Sequence, residues 1–558
     1  MPDGIYLMSC FPSARQTKIG TTCCRKKRRL SLFQERKVFS EGVITLVTTL
    51  FSLLLARIYW MGLSPPEFSP SDNPAADHPS LLTRTLTFLF LPAFNARLLF
   101  LPDTLSFDWS MDSIPLLHSL NDVRNIATVL FYAILILLSL RLWKQLVSLP
   151  ISPGVSPREF LRLDSPRCLL LSLAFLVLPF LPATNLFFYV GFVVAERILY
   201  LPSLGYCLLV GQGLRHLDSL CRQCIPPRLP HQLIRTLAAL LLLLFLLRSL
   251  RRNQDWLSEE KLYRAGIPFN PAKAYGNLGN ILSAEGQKEQ AERAYILALS
   301  YRKNMADVHY NLGLLYQELR RYEESLSCYK TAIHYRSRMA MAYLNSGIVL
   351  NLLGRNQEAK EMYTICSQLD GKGLKDPRTH EATRTSALFN LGRIHAEEGN
   401  YEEAIEAYLD AVNRMPPHYQ PQGLYNMLGE AYFKLGRLLE AEHWYLQALE
   451  TKPDHLPAHL TYGKLLSKLA RVQEAEQWFL KALKLAPSDP TDATSHMNLG
   501  AMLHVNGKFE EAEASYLEAL RLKPDDGITR GNLQKLRQMT QHNKTNGNEG
   551  SSGPRRRR

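Results

Sequence analysis

Cysteine is scarce: nine residues in 558, too few and too scattered for a disulfide-stapled fold. Cys221 and Cys224 form a lone CxxC with no second pair at zinc-binding spacing, so no metal centre is expected. Cys328 and Cys366, the only cysteines of the C-terminal half, fall in helical patterns and read as buried thiols. Acidic charge is thin in the first half as well. Residues 1–254 carry 14 Asp and Glu against 26 Lys and Arg, whereas residues 255–540 are nearly balanced at 36 against 34. The basic excess therefore flanks apolar runs and a short tail, which is the distribution of membrane-bordering loops; no nucleic-acid partner is expected. Residues 1–30 also lack the apolar core of a cleavable signal peptide. Long apolar runs exclude a single soluble domain.

What is present divides the chain in two. A bilayer crossing needs about 20 mostly apolar residues. Val43–Leu63 and Asn125–Trp143 qualify, and the apolar stretch from Cys168 to Gln212, broken by Pro179, Pro182 and Pro202, reads as two spans, Cys168–Pro182 and Ile198–Gln212. Leu233–Leu247 is a fifth. Leu81–Leu101 is apolar enough for a sixth, but Arg84, Pro92, Asn95 and Arg97 interrupt it, and an interfacial position is the expectation. The basic run Arg25–Arg29 marks residues 1–42 as a cytosolic segment, with the first span a signal anchor. Residues 43–247 then form a multi-span membrane domain with a lumenal loop at 64–122, and 248–271 a linker. Five spans place everything after Leu247 on the lumenal side.

From Ala272 the sequence repeats. Gly279, Gly313, Gly347, Gly392, Gly429, Gly463 and Gly500 each lie in a fragment of the type Tyr-Asn-Leu-Gly, at spacings of 34, 34, 45, 37, 34 and 37 residues. Twelve residues after each comes Ala or Ser, and sixteen after comes Tyr or Phe, from Tyr295 to Tyr516. This is the tetratricopeptide period. Gly and Ala allow two antiparallel helices to approach, and the aromatic is expected to fill the space against the next pair, so that stacked units share one core. The long gap implies a polar loop around Asp370–Arg384. Residues 272–540 thus comprise seven repeats and a capping helix at 527–539, followed by a disordered basic tail, 541–558.

Asn recurs two residues before the Gly at Asn277, Asn311, Asn345, Asn390 and Asn498, on the first helix of its unit. A side-chain amide offers both donor and acceptor, so this ladder is a candidate clamp for an extended peptide backbone. The competing reading is a solvated groove that tolerates Asn. Met427 and Thr461 interrupt the series.

The order of the two halves, the stretch Leu101-Pro-Asp-Thr-Leu-Ser-Phe-Asp-Trp-Ser-Met-Asp-Ser-Ile-Pro115 and the stretch Ala195-Glu-Arg-Ile-Leu-Tyr-Leu-Pro-Ser-Leu-Gly205 closely resemble the transmembrane and tetratricopeptide-repeat-containing O-mannosyltransferases of the endoplasmic reticulum. The resemblance covers about residues 31–540. It implies an all-α chain: a polytopic transmembrane helical domain of C-type glycosyltransferase character, here incomplete, followed by a tetratricopeptide α-solenoid. It also implies dolichyl-phosphate mannose as donor substrate with no tightly bound cofactor, and Ser or Thr of cadherin-like ectodomains as acceptors. Localisation would be the endoplasmic reticulum membrane, with lumenal repeats. The family normally begins with further spans and carries an acidic pair in its first lumenal loop. Residues 1–30 do not resemble that region, and an N-terminally shortened or alternative-start form is expected.

Transfer of a sugar from a lipid phosphate to a hydroxyl needs a carboxylate to draw off the proton and a cation to hold the departing phosphate. Asp108, Glu196 and Arg197 are the catalytic candidates. The structural alternatives are a loop turn or helix cap for Asp108, an ion pair for Glu196 with Arg197, and interfacial anchoring for Phe107 and Trp109. A membrane-anchored adaptor whose repeats bind a lumenal client is the competing function.

Overall fold

A computed structural model describes residues 40–42, 44–60, 71–147, 166–185, 189–224, 228–372, 374, 376–485 and 492–549. The basic segment ahead of Ser40, the last nine residues and the side chains of Cys221 and Cys224 lie outside the described residues. The chain forms two compact units, one ending at Tyr301 and one beginning at Arg302. Every regular element among the described residues is helical.

The first unit contains helices Ser40–Trp60 (α1), Leu81–Phe100 (α2), Arg124–Val147 (α3), Pro166–Val177 (α4), Tyr200–Cys224 (α5), Arg228–Asp255 (α6), Glu259–Gly266 (α7), Pro271–Ala284 (α8) and Lys288–Tyr301 (α9). Among the described residues three stretches are long and apolar enough to cross a membrane: Ser40–Trp60, Arg124–Gln145 and Gln232–Asp255. Their leucines point outward, as Leu46, Leu137 and Leu242 show, and a helix that is apolar all round belongs in lipid.

The other two expected spans take a different form. Helix α4 has 12 residues and spans roughly 18 Å at 1.5 Å per residue, too short to cross a bilayer. The chain then turns through Pro179 and Pro182. Helix α5 is long enough, but Gln212, Arg215, His216 and Asp218 make its second half polar. The two pack tightly on each other: a Cβ on Gly205 would lie 2.5 Å from the Leu176 nitrogen and collide with the Ser172 carbonyl. Gln212 donates to Ser172 Oγ across the same contact, at 3.2 Å. Small residues permit this approach where apolar burial offers little drive.

Leu81–Leu101, expected as an interrupted interfacial segment, is one continuous helix with Pro92 inside it. Its polar residues are accommodated locally. Asn95 donates to Leu91 O at 2.8 Å, Arg84 to the Tyr189 hydroxyl at 3.2 Å, and Arg97 to Asp103 at 2.7 Å. One face of α2 supplies Phe88, Phe90, Leu91 and Leu98 to a core completed by Trp109, Leu117, Val193 and Val194. Buried Thr87 Oγ1 accepts the Leu117 N–H at 3.1 Å, tying the following loop to the helix.

Helices α8 and α9 form the first repeat. In the second unit the repeats continue as Ala306–Glu318 (α10), Tyr322–Tyr335 (α11), Ala340–Leu352 (α12), Asn356–Gln368 (α13), Pro377–Glu397 (α14), Tyr401–Arg414 (α15), Gln422–Lys434 (α16), Leu438–Thr451 (α17), Leu456–Lys468 (α18), Val472–Leu485 (α19), Asp492–Val505 (α20) and Phe509–Leu522 (α21). A final helix, Gly527–Glu549 (α22), follows. It continues nine residues past Thr540, where a disordered tail was expected; with no proline before Glu549, nothing stops the helix at that boundary.

The aromatic sixteen residues after each glycine lies on the glycine of its own repeat. A Cβ on Gly279 would meet Tyr295 at 2.5 Å, and one on Gly392 would meet Tyr408 at 2.6 Å. Each of these rings is 2 % exposed or less. The small residue four positions earlier is also fully buried, and where it is Ser325 its hydroxyl donates to Gly313 O at 2.7 Å. The 45-residue gap is likewise not all loop. Asp376 caps α14 by accepting the Thr379 N–H at 3.1 Å, and with Pro377 at the first position the helix starts two turns early. The shorter connection left is held by Arg338 to Asp370 O at 2.9 Å, and Arg384 donates to Ser367 O at the end of α13 at 2.9 Å.

Between the helices of a repeat the chain takes a positive φ, seven residues after the conserved-spacing glycine. Gly354, Gly399, Gly436 and Gly507 occupy this place, but Arg320 and Ala470 hold φ of 59° and 60° there. A side chain in that conformation costs about 1–2 kcal/mol. Ala470→Gly is therefore expected to stabilise the second unit by about 0.5–1 kcal/mol after the added freedom of the unfolded chain is discounted. Gly392→Ala, which forces the Tyr408 ring off its seat, is expected to destabilise it by about 1–3 kcal/mol. Thermal melting followed by circular dichroism reads both, with opposite signs.

Candidate functional site

The three catalytic candidates come from two segments nearly ninety residues apart and line one cavity of about 350 Å³ in the first unit. Asp108 and Trp109 arrive on the loop between α2 and α3. Glu196 and Arg197 open a short 3₁₀ turn, Glu196–Leu199, that runs directly into α5. Asp72, Lys273, Phe107, Phe192 and Trp256 complete the charged and aromatic lining.

The loop is held by its own polar groups and by the first repeat. The Ser110 N–H donates to Asp108 Oδ1 at 2.7 Å, and Ser106 Oγ donates to Asp108 O at 2.8 Å. Asn270, the N-cap of α8, accepts the Lys273 N–H at 3.3 Å and donates to Ser110 O at 3.0 Å. One residue thus starts the helix and grips the loop. Phe107 packs edge-on against Tyr263, with ring centroids 5.0 Å apart, and fills the space a side chain on Gly266 would need.

Lys273 Nζ lies 2.7 Å from Asp108 Oδ2 and also donates to Ser110 Oγ at 3.0 Å. Burial acts to raise the Asp108 carboxyl, but the Lys273 ammonium and the donors of Ser110 outweigh it and hold the group below the ordinary aspartate range. Asp108 is thus ionised and committed to partners; the turn and the ion pair, with Lys273 in place of any nearer base, account for its geometry.

Glu196 is organised differently. Its Oε1 accepts the Ser106 N–H at 2.8 Å and the Trp109 indole N–H at 3.1 Å. It does not pair with Arg197, which is exposed and makes no ion pair or hydrogen bond among the described residues. The structural alternative, a Glu196–Arg197 ion pair, is absent because consecutive residues of the turn direct one side chain to the loop and the other outward. Trp109 is not an interfacial anchor: it is 6 % exposed and stands edge-on to Phe94 at 5.4 Å.

The asparagine series occupies unlike environments. Asn277 and Asn311 are half-buried on α8 and α10. Asn345 donates to the Tyr310 hydroxyl of the preceding repeat at 2.9 Å, and Asn390 turns back onto Ser386 O at 2.8 Å. Asn498 is buried, and its Nδ2 has no partner among the described residues. In the interrupted repeats a different pair takes over: Thr461 Oγ1 donates to Asn426 Oδ1 at 2.6 Å. Sequence spacing passed over Asn426, one position off register, and also Lys273 and Asn270, whose place at the start of a repeat carries no mark of their reach back to the loop.

This is a helical membrane-associated half joined to a tetratricopeptide array, with an ionisable cavity built from the first and from Lys273 of the first repeat. The family model described as "Protein O-mannosyl-transferase TMTC, DUF1736" matches residues 62–136, the segment containing α2 and the Asp108 loop. Tetratricopeptide models match 272–305, 306–337, 385–418, 426–490 and 493–526. The chain is 48 % identical over 505 residues to Protein O-mannosyl-transferase tmtc2 of Xenopus laevis, covering 83 % of this chain and 59 % of that protein. It is 51 % identical over 483 residues to the Homo sapiens protein of that name, covering 79 % and 56 %. The chain is thus similar to TMTC proteins over about four fifths of its own length. It spans a little over half the length of these curated relatives.

Lys273→Met removes the cation that keeps Asp108 ionised, and the carboxyl is expected to titrate at higher pH in the variant. With its pKa depressed, wild-type Asp108 contributes stability above the ordinary aspartate range and loses it as pH falls through the lowered value. The variant is expected to be the less stable protein at neutral pH and to lose less on acidification. Melting of the full chain in nanodiscs at neutral and acidic pH measures the difference.

Proposed function

We propose that the chain acts in protein O-mannosylation at the endoplasmic reticulum membrane. The cavity would receive the head of dolichyl-phosphate mannose, and the lumenal repeats would present Ser or Thr of a cadherin-like ectodomain. The observation that carries this reading is the convergence of Glu196 and Arg197 with the Asp108 loop on one cavity. In the reaction the acceptor oxygen bonds to the anomeric carbon, the bond from that carbon to the phosphate oxygen breaks, and the hydroxyl proton passes to a carboxylate.

Arg197 is suited to the departing phosphate, since an exposed guanidinium that makes no ion pair among the described residues offers its donors to an anion. Glu196 is the better base: two N–H groups orient its carboxylate through one oxygen, and a carboxylate has a second. Asp108 serves by fixing Lys273 and the loop that carries Trp109. The names of the family's relatives support the transferase class; the donor, the acceptor and the lumenal orientation are parts of this proposal.

Glu196→Gln and Arg197→Met are each expected to lower mannose incorporation into a cadherin ectodomain about 100-fold, with client capture unchanged, in membranes where this chain is the sole transferase. Absence of transfer by the wild-type chain with capture retained leaves the adaptor function. Protease protection of the repeats in intact microsomes checks the orientation, and digestion from the cytosolic side defeats it.

The asparagine clamp is tested separately. Asn311→Ala, Asn345→Ala and Asn390→Ala combined are expected to weaken client capture about tenfold. Because Asn345 also bonds Tyr310, melting is measured alongside, and restored capture in an Asn345→Gln background assigns that residue to packing.

A further inference from the structure

The cavity has one wall to which mannosyl transfer assigns no role. Trp256 lies just beyond α6, lines the cavity beside Glu196 and Arg197, and is 60 % exposed. So exposed a ring would ordinarily be free to turn. Here the Arg252 guanidinium, one helical turn earlier, sits over it at 5.6 Å from the centroid. Arg252 is only 8 % exposed; its Nη1 donates to Asp255 at 3.2 Å, while Nε and Nη2 have no hydrogen-bond partner among the described residues. Burying a guanidinium short of acceptors is unfavourable, so the indole is a principal compensation for it. One face of the ring is thereby committed to Arg252, and the opposite face remains available.

We propose that Trp256 is the sugar-stacking residue of this cavity. Its available face would take the apolar C–H face of a hexose ring while the carboxylates of Asp72 and Glu196 meet the hydroxyls. Arg252 is the positioning residue that sets the angle of the indole. The inference rests on the reading that a hexose carried on a lipid phosphate enters here, and it goes further by separating recognition of the sugar from recognition of the phosphate. An aromatic at the end of a spanning helix also serves as an interfacial anchor; an anchor, however, does not distinguish a lipid that bears a sugar from one that does not.

The test uses the full chain in nanodiscs and compares the affinity of dolichyl-phosphate mannose with that of bare dolichyl phosphate. Wild type is expected to prefer the mannose-bearing lipid. Trp256→Ala should lose about tenfold on that lipid and nothing on the bare one, whereas Trp256→Phe, which keeps an aromatic face, stays within about threefold of wild type. Arg252→Met is expected to give a smaller loss, again confined to the mannose-bearing lipid. Equal losses of Trp256→Ala on both lipids, no loss on either, or a Trp256→Phe variant as weak as Trp256→Ala would overturn the assignment. A wild-type chain that binds the bare lipid but shows no preference for the sugar overturns it while leaving the phosphate reading intact; one that binds neither lipid removes both.

Discussion

A ring seated on a glycine is the contact on which the repeat architecture depends. In every tetratricopeptide unit a Tyr or Phe from the second helix lies against the glycine of the first, so closely that no side chain fits between them. The contact sets the distance between the two helices, and the small residue one turn before the aromatic keeps that distance possible along the pair. Helix propensity alone would favour alanine over glycine at such a position. Glycine is present because the fully buried ring contributes more than the propensity removes, and the same trade recurs unit after unit.

The membrane-associated half follows a different logic. Its long helices face outward with leucine, and beside the apolar core around α2 its specific packing lies where backbone comes close to backbone or where a polar group finds a partner. Gly205 against Ser172 and Leu176 is one such place. The loop after α2 is another: Thr87, Ser106, Ser110, Glu196 and Asn270 supply the donors and acceptors that shape it. In low dielectric an unsatisfied polar group is costly. A loop with this many satisfied groups is therefore rigid enough to hold charged side chains around a cavity.

Asp108 and Glu196, two of the carboxylates of that cavity, look alike in sequence, each beside an aromatic or a basic neighbour, and their environments separate them. Asp108 has an ammonium and a serine and is fixed as an anion. Among the described residues Glu196 has neutral N–H donors at one oxygen, and Arg197 beside it makes no ion pair. Division of labour between similar groups commonly arises in this way, from partners brought in by distant segments. In this chain the decisive partner is Lys273, which belongs by sequence to the first repeat and by contact to the membrane-side loop.

Periodicity was legible because it records a local rule: each glycine, small residue and aromatic answers to others in its own helical pair, within sixteen positions. Long apolar runs were equally legible, since the length needed to cross a bilayer is a property of the run itself. The identity of Asp108, Glu196 and Arg197 as candidates also came from sequence, through the chemistry of their side chains. What only tertiary structure decided was who meets whom. It made one helix of Leu81–Phe100 despite its proline and arginines, shortened the third expected span to α4, and turned half of the expected Asp370–Arg384 loop into helix. It also gave Asp108 a lysine 165 residues away. Such choices depend on burial and on partners far along the chain, and no window of neighbouring residues contains them.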